Sequence, residues 1–268
     1  MKAAWLLLLF ALPLGGQPSP LDRAHAHNDY EHTRPLLGAL ELGLGSVEAD
    51  VYLVNGALLV AHARDSVQAG VTLESLYLDP LRAWVRAHGG RVHPGRPPLT
   101  LLVDVKSNAD STYPVLDAVL RRYDDLLVSW HGDSVTTCPV VAIVSGERPL
   151  AALPAQHDRW AALDGRLPDL DAPHATPTAA MPLVSDDWQH VTTWRGDGPA
   201  PDSVRRRVAR LAARAHAQHR RLRFWGTPDR ESVWRLLSDA GVDLIGADDL
   251  DRLHDFLLAR DARYRREH

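Results

Sequence analysis

AHAHNDYEHTRPLLGALELGLGSVEADVYLVNGALLVAHARDS, residues 24–66, is the stretch from which the architecture can be read. Its pattern is strand, short helix, strand, hairpin. Pro35, Leu36, Leu37, Ala39 and Leu40 supply an apolar helix face that ends at Leu42-Gly43, and residues 47–54 then read as a strand. Asn55-Gly56 is the turn of a hairpin. Side chains alternate along a strand, so Glu48 and Asp50, two apart, point to one side of the sheet. His27, Asn28 and Asp29 precede the helix, and His62 closes the hairpin. Two histidines and two carboxylates gathered at strand ends are the ingredients of a metal-assisted acid/base site.

Beyond this unit the same alternation continues. Residues 73–88 form an amphipathic helix, with Asp79-Pro80 as a cap and first-turn proline and Gly89-Gly90 as its stop. Residues 99–106, LTLLVDVK, are an apolar run that turns polar at its end, as a barrel strand does. A helix over 113–126 follows, then strands over 139–145 (PVVAIVS), 159–163 and 181–185 (MPLVS). An Arg- and Ala-rich helix covers 203–217, and RLRFW, 221–225, is a strand followed by Thr227-Pro228 as a helix cap. The last strand is 242–246 and the last helix 248–259. Alternation of this kind predicts parallel strands joined by helical crossovers. Roughly eight such units in about 250 residues predict a single-domain α/β fold, a TIM-like (β/α)8 barrel. No Gly-x-Gly-x-x-Gly follows a strand, which argues against a dinucleotide fold.

Composition narrows the chemistry. A net charge of −4 and a pI near 6.4 give no nucleic-acid surface. Cys138 is the only cysteine, which excludes a disulfide framework and a thiolate metal site and reads as a buried, inert thiol. Met1-Lys2 followed by AAWLLLLFALPLGG has the charge and apolar run of a secretory signal, too short to span a bilayer. Residues 1–20 are expected to be signal peptide and short leader, and 21–268 the barrel, in a secreted or periplasmic protein.

Barrel enzymes carry their chemistry at the C-terminal ends of the strands. His27 falls after the first strand, Glu48 and Asp50 on the second, and His62 just past it. Asp104 and Lys106 share one face of the third, Trp225 ends the seventh and Asp248 follows the eighth. Singly, each residue has a bland structural reading. Their placement on one rim is harder to explain as packing. The chain has two lysines against 28 arginines, and Lys2 belongs to the leader. A lysine kept in so arginine-rich a chain points to a place where arginine would not fit. Glu48, Asp50 and Asp104, with no thiolate, suit a hard divalent cation, Mg²⁺ or Ca²⁺. Lys106 beside them is placed to hold phosphate oxygens.

HNDY, then a helix, SVEADV, LLVAH and LLVDVKS resemble the phosphatidylinositol-phospholipase-C-like phosphodiesterase superfamily. That group includes glycerophosphodiester phosphodiesterases and spider-venom sphingomyelinase D. LYLDPL (76–81), SDDW and RFW bring the chain nearest to the branch of fungal altered-inheritance-of-mitochondria proteins and their bacterial relatives. The resemblance implies a TIM-like barrel and, position by position, His27 and His62 as the acid/base pair. It implies Glu48, Asp50 and Asp104 as metal ligands, with Asn28, Lys106 and Trp225 on the substrate side. His25, two residues before His27, is the alternative for the first histidine. The His-Arg-Gly opening and Pro-Glu-Asn segment of glycerophosphodiesterases are missing here. The resemblance therefore implies a phosphodiester or phospholipid-type substrate without naming its head group, and a transient contact with a membrane surface.

Two other classes compete with an exported, metal-dependent phosphodiesterase. His25-x-His27 also opens metal-dependent amidohydrolases, but those need further histidines after middle strands, and PVVAIVSGERP and MPLVSDDW offer none there. A catalytically silent barrel that binds a phosphorylated ligand would carry the same residues, and only turnover separates it.

Overall fold

The computed structural model describes residues 19–172 and 176–267, so the leader read over residues 1–20 lies outside them except for Ser19 and Pro20. Ser19 caps a 3-10 turn, Pro20–Arg23, at the base of the first strand.

Eight parallel strands form the barrel: β1 (Ala24–Ala26), β2 (Ser46–Val54), β3 (Leu99–Val105), β4 (Val140–Gly146), β5 (Ala162–Gly165), β6 (Leu183–Asp187), β7 (Arg221–Trp225) and β8 (Ile245–Ala247). Each pairs with its sequence neighbour, and β1 also pairs with β8. The ring is nearly closed between β7 and β8, where a parallel bridge joins Arg223 to Leu244 and the Asp243 and Leu244 N–H groups donate to the Leu222 carbonyl. Outside the ring lie α1 (Leu37–Glu41), α2 (Asp79–Ala87), α3 (Ala109–Leu120), α4 (Ala152–Ala155), α5 (Trp188–Val191), α6 (Asp202–Ala217), α7 (Glu231–Asp239) and α8 (Leu250–Glu267). The chain therefore has the expected TIM-like α/β barrel. No helix among the described residues is long and apolar enough to cross a membrane.

Alternation along the strands builds two separate cores. Val47, Ala49, Val51, Leu101, Val103, Val140, Ala142 and Val144 face outward and pack with Leu40, Leu81, Leu116 and Leu253 of the helices. Leu102, Ile143, Leu183 and Leu244 face inward and form a small apolar plug. Losing one such leucine side chain costs about 2–5 kcal/mol. Inward positions beyond the plug, toward the strand C-termini, are polar. That switch creates the site.

Several boundaries differ from the sequence reading. Asp79-Pro80 does not begin a helix, because Leu78 before it is already helical and Asp79 Oδ1 instead accepts from the Tyr123 hydroxyl. The helix starts where Thr72 and Ser75 cap each other through hydroxyl and backbone N–H, and its turns widen over Glu74–Leu78. A proline ring crowds the carbonyl four residues earlier, and a wide turn relieves that crowding. Thr227-Pro228 likewise lies in the turn ahead of α7, whose N-terminal flank is the extended Arg230. Asp158–Arg159 belongs to a small antiparallel sheet with Ser129–His131 and Ser134–Thr136, so barrel strand β5 starts only at Ala162. Cys138 is half-buried, not buried. Desolvation raises its thiol pKa, and its Sγ–H contacts the Asp124 carbonyl.

Candidate active site

The inward alternation brings one set of polar groups to the C-terminal mouth. Asp50 is the Cα partner of Asp104, and Asp104 that of Ser145. Glu48, Asp50 and Asp104 each offer a carboxylate oxygen within 4.8 Å of the others. Lys106 Nζ donates to Asp104 Oδ2 at 2.8 Å and lies 3.1 Å from Asp50 Oδ2. Asp50 Oδ1 and Asp104 Oδ1 are buried and have no hydrogen-bond partner. Glu48 Oε2 accepts from Arg223 Nη2 at 2.6 Å and lies 3.0 Å from His25 Nε2. Each carboxylate thus has one oxygen held by a protein cation or ring, and in the two aspartates the other oxygen is orphaned. Buried carboxylate oxygens without donors are costly. A hard divalent cation accepts oxygen ligands of this kind, so the residues fit one.

Burial favours the protonated form of Glu48, but Arg223 and His25 outweigh it and hold the carboxyl well below its usual range. Asp50 shows the opposite balance. Its burial, with Asp104 and Glu48 nearby, outweighs Lys106 and lifts it to about 6. Lys106 loses hydration, but Asp104 and Asp50 more than compensate and raise its pKa.

His25 and His27 sit at different depths. His25 has no exposed surface, its Nδ1 lies 2.7 Å from Ser46 Oγ, and burial and Arg223 push it down to about 4. It is a neutral brace beneath Glu48. His27 reaches the mouth and places Nδ1 2.7 Å from Asp248 Oδ1. Burial works against its charge, yet the Asp248 hydrogen bond and the Glu48 charge raise its pKa overall. His62 is exposed and joins the site through Tyr30, whose hydroxyl lies 2.8 Å from Asp50 Oδ2, 2.9 Å from Asn28 Oδ1 and 3.2 Å from His62 Nδ1. Asn28 adopts the left-handed conformation, φ 46°, that turns the chain from β1 into this loop. Asp29 anchors the loop from below, accepting from the Leu36 N–H and the Tyr77 hydroxyl.

Trp225 ends β7 with the Arg166 guanidinium 4.7 Å over its ring. Gly146 ends β4 at φ +66°, and a Cβ there would meet Asp104 Oδ1 at 2.0 Å, so only glycine leaves room for that carboxylate.

The fold brings His27, His62, Glu48, Asp50, Asp104, Lys106, Asn28 and Trp225, all legible in the sequence, to one mouth. Arg223, Tyr30 and Arg166, not among those candidates, join them, and Asp248 gains its role as the partner of His27. Counting back two from Trp225 would have put Arg223 on the inner face, where an arginine must find a carboxylate. Tyr30 was in view inside HNDY. A groove of about 900 Å³ lined by Arg23, Arg235, Arg252, Phe256 and Arg260 lies along α7 and α8 on the outside of the barrel and includes none of these groups.

Comparison with known proteins gives a consistent result. The model of the AIM6-like phosphodiesterase domain matches residues 19–162. Altered inheritance of mitochondria protein 6 of Eremothecium gossypii is 29% identical over 88% of this chain and 69% of its own length. Its homologue in Arthroderma benhamiae is 28% identical over 85% of this chain and 81% of its own. Among solved structures, the glycerophosphodiester phosphodiesterase of Agrobacterium tumefaciens matches 90% of this chain and 98% of its own, with 11% identity and a TM-score of 0.47.

Proposed function

Because the chain belongs to the AIM6-like phosphodiesterase family, we propose that it is an exported, metal-dependent phosphoric diester hydrolase acting on a glycerophosphodiester or phospholipid-type substrate at a membrane surface or in solution. The observation that carries this reading is the pair of orphaned oxygens, Asp50 Oδ1 and Asp104 Oδ1, beside Glu48 in the mouth that also holds His27. A divalent cation held by Glu48, Asp50 and Asp104 would supply charge stabilisation at the phosphate.

The chain's own groups divide the remaining work. His27, whose pKa the Asp248 hydrogen bond helps to raise against burial, is the proton donor to the leaving oxygen. His62, on the other side of Tyr30, takes the proton from the attacking hydroxyl or water. Lys106 holds a non-bridging phosphate oxygen, and Arg223 and His25 keep Glu48 ionised and aimed. Asn28 fixes the Tyr30 hydroxyl, and Trp225 walls the substrate side.

A panel of lipid and soluble phosphodiesters, assayed with and without added Mg²⁺ or Ca²⁺, tests the reading. Cation-dependent turnover of at least one diester is expected. No turnover of any, in protein that binds the cation, would reject it. One observation favours a second reading. The Lys106 ammonium already spans Asp50 and Asp104, a charge balance made by protein alone, as in a silent barrel that binds a phosphorylated ligand. Generic diesters such as bis-p-nitrophenyl phosphate separate the two.

A further inference from the structure

The mouth is divided by charge. The carboxylates of the candidate cation site stand on β2 and β3, while Arg148 and Arg166 follow the ends of β4 and β5. Arg166 continues the inward alternation of β5 from Asp164, and its Nη1 donates to Asp164 Oδ2 and to the Gly165 carbonyl, both at 2.9 Å. With its face on Trp225 the guanidinium is pinned in orientation, yet Nη2 reaches only Ser145 Oγ at 3.5 Å. Arg148, just past β4, donates Nη1 to the Asp164 carbonyl at 2.8 Å, and its Nε is buried without a partner.

The neighbouring carboxylates do not use up these donors. Asp164 is fully buried and shared with the Ser145 and Ser185 hydroxyls. Asp169 lies 3.9 Å from Arg148 Nη1 and already accepts the Arg166 backbone N–H. Burial, and then repulsion from Arg166, lowers the pKa of Arg148. Two guanidinium groups in this position, fixed in place and with donors unspent, match the fork geometry of a phosphate.

We propose that Arg148 and Arg166, the latter held in orientation by the Trp225 ring beneath it, form an anion subsite that receives a second negatively charged group of the substrate, of the phosphate monoester class. The assignment rests on the phosphodiesterase reading for the rest of the substrate. From Asp104 on β3 to Arg166 just past the end of β5 is two strand spacings, about 10 Å. That span fits two phosphates separated by a short polyol or sugar. The preferred substrate is then a phosphodiester whose alcohol carries a second phosphate.

The subsite requires no cation, which allows it to be tested apart from activity. The full chain in EDTA is titrated with inorganic phosphate at fixed ionic strength, and separately with acetate, by calorimetry. Saturable phosphate binding is expected, with acetate at least tenfold weaker. Arg166→Gln and Arg148→Gln should each raise the phosphate dissociation constant tenfold or more. Arg86→Gln, which removes the same charge from the exposed side of α2, should leave it unchanged. If Arg166→Gln fails to fold, Arg148→Gln decides, because Arg148 is held by one hydrogen bond to the backbone carbonyl of Asp164 and a long, 3.9 Å ion pair with Asp169. Absent or unaltered phosphate binding would overturn the subsite, and acetate binding as tightly would overturn the phosphate assignment. Phosphate binding in a protein that cleaves no diester would leave the subsite standing and reject the hydrolase reading instead.

Discussion

At His27 two opposing effects set the charge. Burial disfavours the imidazolium, and the Asp248 carboxylate 2.7 Å away favours it and prevails. A histidine whose pKa is raised on folding contributes stability below its unfolded pKa, and that contribution is lost as pH rises through the folded pKa. Asp248→Asn should therefore cost stability at pH 5, by less than about 1 kcal/mol for so exposed a pair, with the difference vanishing in alkaline buffer. The same change should move the alkaline limb of the pH–rate profile to lower pH. Denaturant melts at several pH values and kcat/KM against pH check both, and an unmoved limb would remove His27 as the acid. Lys106 invites a second substitution. Its compact ammonium bridges Asp104 and Asp50, and a broad planar guanidinium would spread them apart. Lys106→Arg should fold normally and lose roughly tenfold or more in turnover, at least about 1.4 kcal/mol of transition-state stabilisation. Turnover within about twofold of wild type would show that Lys106 is outside the chemistry.

At the level of the strand, the end of β4 is as important as the ligands on β2 and β3. Gly146 combines a left-handed backbone with contact against Asp104 Oδ1. Gly146→Ala should destabilise the fold by roughly 1–3 kcal/mol through φ strain alone and displace the Asp104 carboxylate. The expected signature is a folded barrel whose melting temperature no longer responds to Mg²⁺ or Ca²⁺. A full cation response in this variant would exclude Asp104 as a ligand. Ahead of α2 a cap differs while the element's extent does not. The helical turns begin at Leu73, as the amphipathic segment 73–88 suggests, and Thr72 and Ser75 supply the cap expected of Asp79, because Leu73, Tyr77 and Leu78 are buried in the same core.

For the whole molecule, cation binding and barrel stability should be linked, because ligands from β2 and β3 are brought together only in the folded state. At a free cation concentration about 100 times its dissociation constant the gain is about 2.7 kcal/mol. For a domain of this size that corresponds to a rise in melting temperature of roughly 5–10 °C. EDTA should reverse the rise and Glu48→Gln should abolish most of it, as followed by scanning calorimetry. A Glu48→Gln protein that responds like wild type would place the cation elsewhere.

The amino-acid sequence by itself determined the alternation of strands and helices, the barrel, and which carboxylates share an inner face. These are local periodicities, and a period of two is legible wherever a strand has one apolar side, as in SVEADV and LLVDVK. Tertiary structure alone decided how far down each inner residue lies and what faces it across the barrel. His25 and His27 share a face and are two residues apart, yet one is a buried brace for Glu48 and the other a partner of Asp248. Arg223 meets Glu48 across 175 residues of sequence, and Asp248 meets His27 across 221. No local pattern encodes such pairings, because they depend on ring closure between β7, β8 and β1. The strands differ in length and stagger, so depth in the barrel follows from the register of the closed ring and from nothing within a single strand.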